Sequence, residues 1–324
     1  MMFLFTTVCF ADTNWNVQSI DEFGDGNHPD IYSLNKVTVE GIILNDSLYM
    51  LDATPNEDAP FGPGAIWQIY IQGEGSDHGG TAVWMGQCYN NLPGGSGTYT
   101  DGEWLSELYR LSHDPASGYA FAPGDRVRVT GLLKPHNGKT NITERHDTDP
   151  DNDIEIELLE VAVGLPVPKV ISLYMVKDAN DGFIFDYTRV GGCELYQGRL
   201  VRVNDVNIVS GIWGPDKALV IRDGEGLTFD IQLGLGQGFT RYVMPTGPID
   251  VIGIFDQESL SDYKAGYRIL VPNYDGNGKV LTDRRPKPEN IAGDVNNDGI
   301  VDFRDFAEMA DDWLKCAPGS GGCN

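Results

Sequence analysis

Two stretches of the chain run through the same succession of short, apolar, glycine-bounded segments, a pattern that mainly helical folds cannot accommodate. In the first, VTVEGIIL at 37–44, WQIYIQG at 67–73 and TAVWMG at 81–86 read as strands. EWLSELYRL at 103–111 then sets Trp104, Leu105, Leu108 and Leu111 at helical spacing. RVRVTGLLK at 126–134 turns Val127 and Val129 one way and Arg126, Arg128 and Thr130 the other, and a fifth strand follows at 140–144. Beyond Pro166-Val167-Pro168 the cycle returns as RLVRVNDVNIV (199–209), ALVIRDGEG (218–226), LTFDIQLG (227–234), IDVIGIF (249–255) and YRILVPNY (267–274). The 40 glycines and 18 prolines supply the turns that such a chain needs. The expectation is an all-β protein with two barrel domains, 12–165 and 166–283. Strand spacing alone also admits a two-sheet sandwich.

Three strands, a helix and two more strands is the order of an OB-fold. VTVEGIIL, IYIQGEG, AVWMG and GDRVRVTGLLKPHNGKTNI resemble the OB-fold modules of secreted bacterial proteins, over residues 36–146. The resemblance implies five-stranded barrels whose outer face and loops bind oligonucleotides or oligosaccharides.

A different chemistry lies at the C-terminus. RRPKPE at 284–289 cannot be helix, and residues 284–292 read as an extended linker. In GDVNNDGIVDFRDF, Asp294, Asn296, Asp298, Ile300 (through its carbonyl), Asp302 and Asp305 stand at positions one, three, five, seven, nine and twelve of a calcium loop, with Gly299 at the sharp turn. Hard Ca2+ takes six or more oxygens, and short Asp and Asn side chains on alternate residues provide them. Phe303, Phe306, Ala307, Ala310, Trp313 and Leu314 form the apolar stripe of one exiting helix. Residues 293–315 resemble a type I dockerin repeat, in which Asp is common at position twelve, and a Cys-bounded tail completes the 293–324 segment. The resemblance implies docking to a cohesin-like or cell-surface protein and a setting of extracellular polysaccharide degradation. It departs from the family in having one good repeat, and in Phe303 and Arg304 where Ser and Thr are usual. NYDGNGK at 273–279 mimics the start of a second loop but reads as a β-turn. Asp147, Asp149, Asp151 and Asp153 alternate as a second calcium set would, or as a solvated acidic loop.

Residues 1–11 read as a short signal peptide, so the chain is expected to be secreted, extracellular or at the cell surface, without membrane insertion. Its removal would leave Cys88, Cys193, Cys316 and Cys323. The last two are expected to pair, and the first two are either bridged or buried thiols. The net charge of -25 opposes nucleic acid, although Arg126, Arg128, Lys134, Lys139 and Arg145 make one barrel locally basic. Trp67, Trp84, Trp104 and Trp213 are either sugar-stacking platforms or core residues. The closest approach to a catalytic pair is Glu144 with His146, two residues apart on an expected strand. The reading is a non-catalytic calcium-binding modular protein. Its alternatives are an extracellular nucleic-acid-binding OB-fold protein and a glycoside hydrolase of unrecognised family.

Overall fold

The computed structural model describes residues 12–46, 66–90, 92 and 94–282. The expected signal peptide, the expected linker, the expected calcium loop and helix, and Cys316 and Cys323 lie outside the described residues.

The first barrel contains β1 (Val37–Ile43), β2 (Ile66–Gln72), β3 (Gly80–Gly86), β4 (Arg126–His136) and β5 (Lys139–Thr143), with helix α2 (Asp101–Ser112) between β3 and β4. A one-turn helix α1 (Asn14–Val17) precedes them. The strand order β1-β2-β3-β5-β4 closes on itself through β1–β4, where Val39 faces Val129 and Gly41 faces Val127. Closure decides for a barrel over a sandwich. The alternation in β4 sends Val127, Val129 and Leu133 into a core with Trp67, Ile69, Ile71, Val83, Met85 and Ile142. Helix α2 starts at a capping box, with Thr100 and Glu103 exchanging bonds, and buries Trp104 and Leu111. Leu105 stands on the opposite side and is mainly exposed, a correction to its place in the apolar stripe. A sixth strand, β6 (Glu155–Glu160), adds to β4.

The second barrel repeats the plan with β8 (Leu200–Gly211), β9 (Ala218–Arg222), β10 (Thr228–Leu233), the short helix α3 (Gly238–Arg241), β11 (Ile249–Gln257) and β12 (Tyr267–Val271). Its order β8-β9-β10-β12-β11 closes through β11–β8. Strand β7 (Lys169–Ile171) flanks β8, and β13 (Val280–Leu281) flanks β11. The 273–279 segment is a turn leading into β13: Asn277 N–H donates to Asp275 Oδ1 at 2.8 Å, and Gly276 and Gly278 have positive φ. Both barrels belong to one compact unit that ends at Thr282. Cys88 and Cys193 are buried, unbridged thiols, one in each barrel.

Candidate ligand faces

In an OB-fold, strands two and three carry the outer face that meets a ligand. On the first barrel these are β2 and β3, and every residue of β2 is buried. Trp67, Ile69 and Ile71 point inward, whereas Tyr70 and Ala82 point outward into a separate apolar cluster with Leu44, Leu200, Ile252, Ile254 and Leu270. The last four come from the second barrel. The second barrel therefore sits on the ligand face of the first.

A polar network closes the same interface. Asp256, with no exposed surface, accepts from Tyr70 Oη at 2.5 Å, Lys139 Nζ at 2.6 Å and Arg268 Nε at 3.0 Å. Burial works against the charge of Asp256, but Lys139 and Arg268 overcome it and hold its carboxyl below the ordinary range. Burial opposes the charge of Glu258 as well, and is outweighed by bonds from His136 and Asn137 and by the charge of Lys139, so this carboxyl is also held low. Gln72 Oε1 accepts from Leu200 N–H at 2.9 Å, so even a backbone donor of β8 is satisfied across the junction.

The basic residues that made the first barrel look suited to phosphate are all engaged within the molecule. Arg126 bonds Glu74 and Glu160, and Arg128 bonds Glu40 and Glu157. Lys139 is taken by Asp256 and Glu258. Lys134 Nζ lies 2.7 Å from His146 Nδ1, and Arg145 donates to the carbonyls of Ile31, Asp30 and Leu133. The tryptophans divide similarly. Trp67 and Trp104 are core, Trp84 packs half-buried against His146, and Trp213 packs edge-on against Phe239 and Tyr274.

Glu144 and His146 are not on a strand. β5 stops at Thr143, and Arg145 and His146 adopt left-handed backbone, φ 55° and 62°. Both side chains nonetheless reach Tyr89: its ring stacks on His146 with centroids 5.5 Å apart, and its hydroxyl donates to Glu144 Oε2 at 3.2 Å. Tyr99 Oη donates to the same oxygen at 2.9 Å. Burial, with Lys134 alongside, drives the His146 pKa down to about 3, so its imidazole is neutral. Glu144 is fully buried.

Asp153, from the acidic run, joins Glu144 and Glu107 in a group whose oxygens lie within 4.8 Å of one another. Arg110 already serves this group: its guanidinium contacts Glu107 and lies 3.2 Å from Glu144 and 3.8 Å from Asp153. Two further aspartates of the run cap local turns, Asp147 accepting from Asp149 N–H and Asp149 from Asp151 N–H.

Burial pushes the Glu144 carboxyl up to about 7. In the second barrel, burial does the same to Glu194, which accepts from Tyr267 Oη. Both acids are raised above their unfolded pKa, so their contribution is fully present below about pH 4.5 and is lost as pH rises toward 7. For each group, one pH unit between the folded and unfolded pKa corresponds to about 1.4 kcal/mol. Unfolding at pH 5 and pH 8 should show the loss. Glu144→Gln and Glu194→Gln should each flatten the slope, and an unchanged slope in both variants would refute the assignment.

The matching face of the second barrel is open. Val220, Arg222, Thr228, Asp230 and Gln232 point outward from β9 and β10 at exposed or half-buried positions. Arg222 stands across from Thr228, and Val220 from Asp230, so the face mixes charge signs with neutral groups.

Among the described residues, no helix is long and apolar enough to cross a membrane. No protein-family model matches the chain, and no curated protein does. Among solved structures, it is similar to one described as "Structure of murine DNA binding protein bound with ds DNA", at 8% identity and a TM-score of 0.29, covering 72% of this chain and 93% of that one. Another, described as "Molecular basis for abrogation of activation of pro-inflammatory cytokines", aligns at 7% identity and a TM-score of 0.29, over 73% of this chain and 90% of that one. Superpositions this loose carry no weight for ligand or activity.

Proposed function

We propose that the chain is a secreted, non-catalytic modular protein: a rigid pair of OB-like barrels carrying a calcium-dependent, dockerin-like attachment segment, at work in extracellular polysaccharide degradation. The observation that carries the scaffold reading is the burial of the first barrel's ligand face under the second. A barrel roofed in this way is a structural spacer, and the β9–β10 face of its neighbour is left to meet a ligand. The calcium reading rests on the oxygen-bearing residues Asp294, Asn296, Asp298, Asp302 and Asp305, with the Ile300 carbonyl completing the loop. Docking through that segment would engage a cohesin-like or cell-surface partner. The nucleic-acid alternative is disfavoured, because the cations of the first barrel are engaged internally and the net charge of -25 repels a phosphate chain.

Calorimetric titration of calcium into the purified protein tests this reading. One-site binding is expected, and it should vanish in Asp294→Ala/Asp298→Ala, since losing two of the ligating carboxylates leaves too few oxygens for the ion. Absence of binding in the wild type would overturn the attachment role. Calcium-independent, salt-sensitive binding of single-stranded DNA would favour the alternative.

A further inference from the structure

The chain holds two Asn–Gly pairs, Asn137–Gly138 and Asn277–Gly278. This dipeptide is chemically labile: the backbone nitrogen after Asn can close on the side-chain amide carbon in a five-membered ring, and glycine has no Cβ to obstruct the approach. The first pair turns the β4–β5 hairpin, with φ of 51° at Asn137 and 99° at Gly138, the left-handed conformation that a two-residue hairpin turn requires. The turn borders a cleft of about 50 Å3 lined by His136, Asn137, Gly138 and Lys139 of the first barrel and Tyr263 of the second. That space takes a few waters.

The two pairs differ in what their atoms are free to do. Gly278 N–H donates to the Gly276 carbonyl at 3.0 Å, whereas Gly138 N–H makes no hydrogen bond among the described residues. The Asn137 carbonyl accepts from Ser259 N–H at 3.0 Å, so the turn is pinned to the second barrel on one side of the peptide while its nitrogen is left open on the other. Asn137 Nδ2 donates to Glu258 Oε1 and lies 3.0 Å from His136 Nε2. The nitrogen that would have to leave is thus held between a carboxylate and an imidazole.

These positions make up a reaction. As Gly138 N bonds to Asn137 Cγ, the Cγ–Nδ2 bond breaks and Nδ2 departs as ammonia. The proton that Gly138 N gives up is the one that Nδ2 needs, and the His136 imidazole beside Nδ2 carries it. Water from the cleft then opens the cyclic imide, at one carbonyl to aspartate or at the other to isoaspartate. One water enters and one ammonia leaves, with no change of oxidation state.

We propose that His136-Asn137-Gly138 is a self-modifying turn, in which the groups lining the cleft convert Asn137 to an acid. The product matters because of where it stands. The amide of Asn137 donates across the junction of the barrels to Glu258, and the product sets a carboxylate, which cannot donate, against the carboxylate of Glu258. Lys139 and Arg268, each 3.4 Å from Glu258, stay in place, so the junction loosens without opening. The change runs one way, and the junction therefore weakens with the age of the molecule. This goes beyond the scaffold reading and does not involve the calcium loop, so a failed calcium titration leaves it standing, and the reverse also holds.

The test follows the full chain through incubation at neutral pH by peptide mass spectrometry, beside the same chain kept unfolded in guanidinium chloride. Asn137 is the only asparagine of the tryptic peptide 129–139, so a gain of one mass unit there reports the reaction. Conversion at Asn137 is expected to run about tenfold faster in the folded chain than in the unfolded one, and to outpace Asn277 in the folded chain. His136→Gln should bring the folded rate down to about the unfolded one. Asn137→Asp, which carries one of the two products from the start, should lower the thermal transition by about 2–4 °C. Equal folded and unfolded rates, faster conversion at Asn277, or a folded rate indifferent to His136→Gln would overturn the self-modifying turn. An unchanged transition in Asn137→Asp would overturn its effect on the junction.

Discussion

Asp256→Ala should destabilise the two-barrel unit by about 3–5 kcal/mol, a fall in Tm on the order of 10 °C. The carboxylate has no exposed surface and joins Tyr70 and Lys139 of the first barrel to Arg268 of the second. Removing it leaves a lysine that is 4% exposed without its nearest counter-charge, and the tyrosine hydroxyl without an acceptor. Glu258, 3.4 Å from both Lys139 and Arg268, offers partial relief and keeps the loss from rising further. Asp256→Asn retains an acceptor and should cost less. The pH dependence carries a matching signature. Asp256 and Glu258 are held below their unfolded pKa values, so their contribution is present above about pH 4.5 and is lost as pH falls through the folded values. The gap between wild type and Asp256→Ala should therefore narrow in acid. A loss under about 1 kcal/mol at pH 7 in denaturant unfolding would show that the apolar cluster alone holds the barrels together.

Both barrels are legible because strands declare themselves locally: period two in RVRVTGLLK, glycine at the segment ends, and one helical interval placed where an OB-fold needs it. β6 is not. Its Glu155, Glu157 and Glu160 look like a charged loop until the register sets Glu157 across from Arg128 and Glu160 across from Arg126. The apparent basic patch fails for the same reason, since the carboxylates that neutralise Arg126, Arg128 and Lys139 lie 29 to 119 residues away in sequence. The junction of the barrels is hidden from local reading. IWQIYIQ alternates, with Gln68, Tyr70 and Gln72 on the outward face as in a strand that meets solvent, yet every one of its residues is buried. No local pattern could show that the cover is the second barrel, because Tyr70 and Asp256 are 186 residues apart. The proposed calcium loop is the reverse case: its ligand spacing is wholly local, and it lies beyond the described residues.

Gly80→Ala should be about as damaging as a core overpacking change, roughly 1–3 kcal/mol, although it adds a single methyl group. Gly80 opens β3, and its Cβ position falls inside the backbone of Gly198 in the second barrel, while that of Gly198 falls inside the backbone of Gly80. Backbone cannot rotate aside as a side chain can, so the methyl has to be met by separating the barrels. Gly198→Ala should cost more, because φ of +71° adds left-handed strain to the same collision. Gly102 supplies the contrast: it lies in α2 with nothing within 4 Å of its Cβ position, and Gly102→Ala should stabilise by about 0.5–1 kcal/mol. If Gly80→Ala and Asp256→Ala both act by opening one interface, the double variant should lose less than the sum of the two, because an interface already opened cannot be opened again. Strict additivity would mean that the glycine contact and the buried ionic network stabilise separate parts of the unit, and the two barrels would then not behave as one body.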